Sequence, residues 1–156
     1  MPSRSNNPKA QYTAVEELLT RWLRERRTVL GSYTEMVVAC QEQLDGKALE
    51  QRQQLLCELL VDYISAGHFE VYHELLNEAE SFADGSCALA EQLLPAIGDT
   101  TEVILAYEEK YGGKPNSQKK LKRDLSALGE VLESRFVLED RLIAGLHGRH
   151  QAAAKG

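Results

Sequence analysis

Residues 12–37, YTAVEELLTRWLRERRTVLGSYTEMV, set apolar side chains at Val15, Leu18, Leu19, Trp22, Val29, Tyr33, Met36 and Val37. The steps are three and four residues, the repeat of one helix face, and Glu17, Arg21, Glu25, Arg26 and Arg27 fall on other faces. The stretch therefore reads as one long amphipathic helix. Arg21 stands four residues from both Glu17 and Glu25, but such pairs add only a few tenths of a kcal/mol each. The apolar stripe has to find its partner in other helices.

The remaining sequence supplies them. Asp45-Gly46 ends the first element and can cap a second, in which Leu49, Leu55, Leu56, Leu59, Leu60, Tyr63 and Ile64 repeat the pattern. Gly67 is expected to stop that helix in the left-handed conformation that glycine adopts freely. A third helix carries Phe69, Tyr72, Leu75, Leu76, Ala79 and Phe82 up to Asp84-Gly85-Ser86, and a fourth starts from Ser86 with Leu89, Leu93, Leu94 and Ile97. Pro95 lies inside the fourth pattern and is expected to kink or split it, with Asp99 or Thr100 recapping a segment that bears Val103, Ile104, Tyr107 and Tyr111. Gly112–Ser117 is a loop, and Leu121, Leu125, Leu128, Val131, Leu132, Phe136, Leu142, Ile143 and Leu146 form the last long helix. No strand-length alternation occurs. The expected fold is all-α, an antiparallel helical bundle of about five to six helices with short turns. A disordered leader at 1–11, a single domain at 12–148 and a frayed tail at 149–156 complete the expected organisation, and 156 residues suit one domain.

Composition narrows the class. With 43% hydrophobic and 27% charged residues the chain is neither disordered nor low-complexity. Its 18 Lys and Arg against 24 Asp and Glu give a net charge of −6, which excludes an overall basic nucleic-acid binder. That charge is unevenly placed: residues 1–41 carry +2, residues 42–110 carry −12 and residues 111–156 carry +4. The acid block is either a set of solvated helix faces or a landing surface for a basic protein, since complementary potential steers encounter and selects partners. No apolar run approaches the roughly 20 residues a membrane helix needs, and the polar start has no signal-peptide core, so a cytoplasmic protein is expected. Cys40, Cys57 and Cys87 are widely spaced and read as reduced thiols.

Few residue patterns in the chain point to chemistry. Glu70-Val71-Tyr72-His73 supplies one Glu-x-x-His, but a di-iron bundle needs a second on another helix, so a metal-binding bundle stands only as an alternative. His147 and His150 read as a surface cation pair near a helix end. No nucleophile elbow or phosphate-cradling glycine loop is present, and neither an enzyme nor a cofactor is indicated. Two carboxylates stand out instead. Glu139 follows Leu132 and Phe136 and precedes Ile143 at three- and four-residue steps, where an apolar side chain belongs, so it needs a partner such as His68 or a tyrosine hydroxyl. Asp62 lies near the expected end of the second helix, where the macrodipole disfavours an anion, which points to a cationic partner or to an ion pair within the chain.

Three separated stretches carry a likeness. Leu60–Tyr72 (LVDYISAGHFEVY), together with Arg21-Trp22-Leu23 and Leu132–Ile143 (LESRFVLEDRLI), closely resembles the Rsd/AlgQ family of bacterial regulators, the three motifs occurring in order with fitting spacing over roughly Tyr12 to Leu146. The resemblance implies a non-enzymatic, all-helical anti-sigma factor that binds region 4 of the primary sigma factor and blocks its contacts with the −35 promoter element and core RNA polymerase. Region 4 is a helix-turn-helix module whose basic residues meet DNA, so an acidic surface competes for the same cations. By position in the matched stretches, Asp62 is the expected acidic contact to sigma, with Ser65, Phe69 and Tyr72 as neighbouring contacts. His68 and Glu139 are expected to form a structural polar core. No direct DNA binding, no membrane association and a monomer or weak homodimer are expected. The family's AlgQ branch adds control of virulence genes, and regulation of another protein, such as an alarmone hydrolase, is the remaining alternative. The leader, the 112–117 loop and the basic cluster Lys119, Lys120, Lys122 and Arg123 have no assigned role.

Overall fold

Asn7 opens the first helix: its side-chain oxygen accepts the backbone N–H of Lys9 at 3.0 Å and of Ala10 at 3.4 Å, and Pro8 takes the first helical position. The computed structural model describes residues 7–112 and 120–151. Helix α1 then runs Pro8–Gln41, roughly 50 Å at 1.5 Å per residue, and buries Val15, Leu19, Trp22, Val29 and Met36 as the periodicity requires. The helix thus begins before residue 12, taking in the last part of the expected leader; residues 1–6 lie outside the described region. Asp45 caps α2 (Gly46–Ala66) by accepting the Ala48 N–H at 2.9 Å.

Gly67 does not end α2. Its φ is −59°, right-handed, and the chain passes through one π turn, Gly67–Val71, straight into α3 (Tyr72–Phe82). Glycine is needed for another reason: a Cβ at residue 67 would lie 3.0 Å from Cζ2 of Trp22 and 3.3 Å from the Tyr72 hydroxyl. The residue lets α1 approach, and the wider turn lodges one extra residue without breaking the rod. The left-handed stop comes later, at Ala83 with φ 53°, followed by Gly85 with φ 82°.

Pro95 does not split the next helix either. Helix α4 runs unbroken from Cys87 to Tyr111, with Asp99 and Thr100 in its interior instead of at a cap. Pro95 and Glu91, four residues before it, both lie on the exposed face, so the missing hydrogen bond is lost on the solvent side. Helix α5 (Leu121–Leu146) and a 3₁₀ turn, Gly148–His150, close the chain; most of the expected 112–117 loop, with Lys119, lies outside the described residues.

Among the described residues there are five α-helices and no strand, and with α2 and α3 joined they form four long rods. The all-α reading holds. Helix α1 packs most extensively on α2, and α4 on α5. At the centre Trp22 stacks on Tyr63 with ring centroids 4.7 Å apart, while Tyr72 meets Trp22 and Phe136 meets Tyr63 edge-on. Cys40, Cys57 and Cys87 are free thiols, and burial pushes that of Cys57 up to about 12. No described helix is long and apolar enough to cross a membrane.

An apolar cleft, an acidic flank and the ion network beneath

The π turn controls what its residues present. Val71 points into the core while His68, Phe69 and Glu70 turn outward, and Phe69 is left 74% exposed, an uncommon position for a phenylalanine. Behind it opens a cleft of about 540 Å³. Ile64 and Ser65 of α2, Phe69, Tyr72 of α3, and Ile97 and Thr101 of α4 form its walls, and Arg135 of α5 reaches its floor. The lining holds no carboxylate.

Carboxylates lie alongside. Asp62 is exposed and shares a second depression, about 520 Å³, with Glu58 and Glu108; Val61 borders both hollows. Across α1, Glu25 has its pKa raised, first by burial and then by repulsion from Asp62 and Glu70, against the pull of Arg21. Among the described residues Asp62 makes no ion pair. Asp62 is not at a helix terminus, because α2 passes through the π turn into α3 without a break, so the macrodipole asks for no cationic partner there. Its distinction is the company of three other carboxylates, Glu25, Glu58 and Glu108, with Glu70 acting on Glu25 in turn.

Of the six residues singled out by sequence, Asp62, Ser65, Phe69 and Tyr72 fall on one side of the bundle around these hollows. Tyr72 differs from the others in being buried. Its hydroxyl serves the network below, so it contributes its ring to the cleft and its polar end to the core. His68 is a correction: it is exposed, packs edge-on against Phe69 at 4.9 Å, and does not reach Glu139.

Glu139 is fully buried and satisfied by other groups. Tyr63 Oη donates to its Oε1 at 2.7 Å and Tyr72 Oη to its Oε2 at 2.5 Å. Arg26 Nη2 lies 3.3 Å from Oε1 and Arg135 Nε 3.1 Å from Oε2. Arg135, 1% exposed, also donates to the Thr100 hydroxyl at 3.0 Å, to the Thr101 hydroxyl at 2.7 Å and to Tyr72 Oη at 3.0 Å. Arg26 bonds Tyr63 Oη at 3.1 Å and Asp140 at 2.6 Å, and rests over the Phe136 ring. Burial opposes charge on Arg26, but Tyr63, Asp140 and Glu139 outweigh it and its pKa rises. Burial, followed by the Glu139 charge, pushes the Tyr63 and Tyr72 phenols well above 10.

Both arginines were missed as core residues. A signal existed for Arg135: the buried positions of α5 run 121, 125, 128, 132, 135, 139, 142, 146, an unbroken alternation of fours and threes that puts Arg135 and Glu139 on one stripe four residues apart. Arg26 had none, because its mates are distant in sequence. His147 and His150 are a second correction, being buried and bound to Glu78 instead of forming a surface cation pair. Lys120, Lys122 and Arg123 are exposed. Among the described residues no group of three or more His, Cys, Asp or Glu side chains is arranged to hold a metal ion.

Fold and site together define an all-α bundle whose core is pinned by ion pairs and whose surface pairs an apolar cleft with a run of acid. The chain belongs to the Rsd/AlgQ family: residues 1–147 match the family described as regulator of RNA polymerase sigma(70) subunit, Rsd/AlgQ. Regulator of sigma D from Yersinia pseudotuberculosis serotype O:1b is 34% identical over 145 residues, covering 88% of this chain and 83% of the relative. The Yersinia enterocolitica serotype O:8 protein of that name is 33% identical over 145 residues (88% and 84%), and that of Shigella boydii serotype 4 is 32% identical over 151 residues (92% of each). No solved structure matches the chain.

Proposed function

We propose that this protein is an anti-sigma regulator that binds region 4 of the primary sigma factor and so blocks its contacts with the −35 promoter element and core RNA polymerase. The observation that carries the reading is the juxtaposition of an exposed Phe69 over an apolar cleft with Asp62 among Glu25, Glu58 and Glu108. A DNA-binding helix-turn-helix offers the complement, cations meant for phosphates together with an apolar helix face. Phe69 and the cleft supply buried area, and Asp62 pairs a sigma cation at the rim. The mechanism is stoichiometric occlusion, with no bond made or broken. Family membership supports the choice of sigma among basic partners, and the setting is then the cytoplasm.

Purified protein is titrated with isolated region 4 at two salt concentrations. A micromolar or tighter complex that weakens with salt is expected. Asp62→Arg should cost about 2–5 kcal/mol of binding, because it sets a like charge against the sigma cation and like-charge juxtaposition in an interface costs several kcal/mol. Because Asp62 is exposed, folding stability should move by no more than about 0.5 kcal/mol. Absence of any salt-sensitive complex refutes the assignment, and an equal loss of folding stability would make Asp62 a structural residue.

A further inference from the structure

Away from the cleft, five ionisable side chains from four parts of the chain converge at the end of α5. Glu78 of α3 is fully buried, and each of its oxygens faces a histidine: Oε1 is 2.7 Å from Nδ1 of His147 and Oε2 is 3.0 Å from Nδ1 of His150. The other ring nitrogens reach outward, His147 Nε2 to Glu16 of α1 at 2.5 Å and His150 Nε2 to Asp84 at 2.8 Å. Tyr12 stacks on His147 at 4.1 Å and Phe82 on His150 at 4.0 Å, so neither ring is free to turn. Arg149 adds a cation, with Nε 3.4 Å from Asp84.

A neutral imidazole has one N–H and one lone pair. Here every nitrogen of both rings meets a carboxylate oxygen, and only an imidazolium donates at both ends. Three carboxylates, Glu16, Glu78 and Asp84, are balanced by two imidazoliums and the Arg149 guanidinium. Without the two protons the cluster holds uncompensated anions around a buried Glu78, an arrangement that burial makes costly. Two other titratable groups lie against it and both stay neutral: burial and then Glu16 raise the pKa of Tyr12, and burial followed by the charges of Glu80 and Asp84 raises that of the Cys87 thiol.

We propose that Glu78, His147 and His150 form a proton-binding site that latches the turn Gly148–His150 onto the start of α1 and the end of α3, and that the latch opens as pH rises. The pKa of His147 agrees: burial lowers it, but hydrogen bonds to Glu78 and Glu16 outweigh burial and the net shift is upward. A group whose folded pKa exceeds its unfolded value of about 6.5 contributes its full stability below that value, and loses it as pH climbs through the folded pKa. Alkaline pH therefore frees the C-terminal turn, and below about 6.5 the histidine contribution is complete. The latch is independent of which partner the cleft binds.

The test follows the ring-proton resonances of the intact protein by NMR from pH 5.5 to 9.5, together with trypsin cleavage at the exposed Arg149, normalised to cleavage of the urea-unfolded chain. His147 should titrate above pH 6.5, and normalised cleavage should rise several-fold across the alkaline limb. Glu78→Gln should lower the His147 midpoint by a pH unit or more. Should that variant fail to fold, Glu16→Gln, whose side chain is more than half exposed, removes the outer contact of His147 and should also lower its midpoint. A His147 midpoint at or below 6.5 in the folded wild type, or cleavage indifferent to pH, overturns the proposal.

Discussion

Replacing Glu139 by glutamine keeps the side chain's shape and removes its charge, which makes it the sharpest probe of the buried network. The carboxylate accepts from four donors, two on each oxygen. An amide has one acceptor oxygen, and its NH₂ group would aim hydrogens at a phenol and a guanidinium that are themselves donating. Arg26 would keep Asp140 at 2.6 Å. Arg135 would not be so served: it would retain hydroxyls and the Ile97 carbonyl but no anion. Removing one partner of a buried ion pair costs about 3–5 kcal/mol, because a buried charge is left uncompensated. At roughly 2–4 °C per kcal/mol for a chain of this size, Tm should fall by about 6–20 °C. Urea unfolding followed by circular dichroism, with an unchanged m-value, measures the loss. The double variant Arg135→Met with Glu139→Leu removes both charges and should be more stable than Glu139→Gln, although Tyr63, Tyr72 and Thr100 then lose partners at about 1 kcal/mol each. A Glu139→Gln cost below about 1 kcal/mol, the worth of one ordinary hydrogen bond, would refute the reasoning. So would a double variant as unstable as the sum of its two single changes, since that result means no coupling between the charges.

Glycine substitutions divide by what a new Cβ meets. Gly31 sits exposed in the middle of α1 with nothing within 4 Å, so Gly31→Ala should stabilise by about 0.5–1 kcal/mol in the same urea assay. Gly129→Ala should gain nothing, because its Cβ would overlap the Tyr33 hydroxyl that donates to the Leu125 carbonyl at 2.8 Å, a bond worth about 0.5–1.5 kcal/mol. The phenols give a pH test. Burial raises the pKa of Tyr63, Tyr72, Tyr107 and Tyr111, so phenolate absorbance should lag behind that of the unfolded chain as pH rises past 10 and then appear together with unfolding. The sign follows from linkage: stability is complete below the unfolded value of about 10 and falls above it. Gradual ionisation of all six tyrosines in a folded protein would contradict the burial described.

Helices were legible where burial is one-sided, since a 3.6-residue repeat is then written into the choice of side chains. The errors came at punctuation. Gly67 read as a stop and Pro95 as a kink or split, yet both stand inside continuous rods, because local preference is weak against packing: Trp22 requires the glycine, and the exposed face tolerates the proline. At the site, Ser65 and Phe69 were named only by their place in a recognisable stretch, and Asp62 by that place together with a macrodipole reading that the continuous helix removes. Glu139 was found physically, as a charge on an apolar stripe, and the tyrosine half of its expected partners was right. His147 and His150 were beyond reach, since Glu16, Glu78 and Asp84 lie 66 to 131 residues away and only the fold brings them there.

The buried ions also explain why this bundle has one arrangement. Apolar stripes on long helices pack nearly as well when one rod slides a turn against another, so hydrophobic burial alone selects register weakly. The Glu139 network removes that freedom because its members come from every rod: Arg26 from α1, Tyr63 from α2, Tyr72 from α3, Thr100 and Thr101 from α4, and Arg135 with Glu139 from α5. Slide α5 by a turn and two charges remain in the core facing carbon, at several kcal/mol each. Tyr72 and Arg135 belong to both this network and the cleft. The register that satisfies the ions is therefore the one that builds the floor on which Phe69 and the acidic flank are displayed, so a change that loosens Glu139 reaches the surface without touching it.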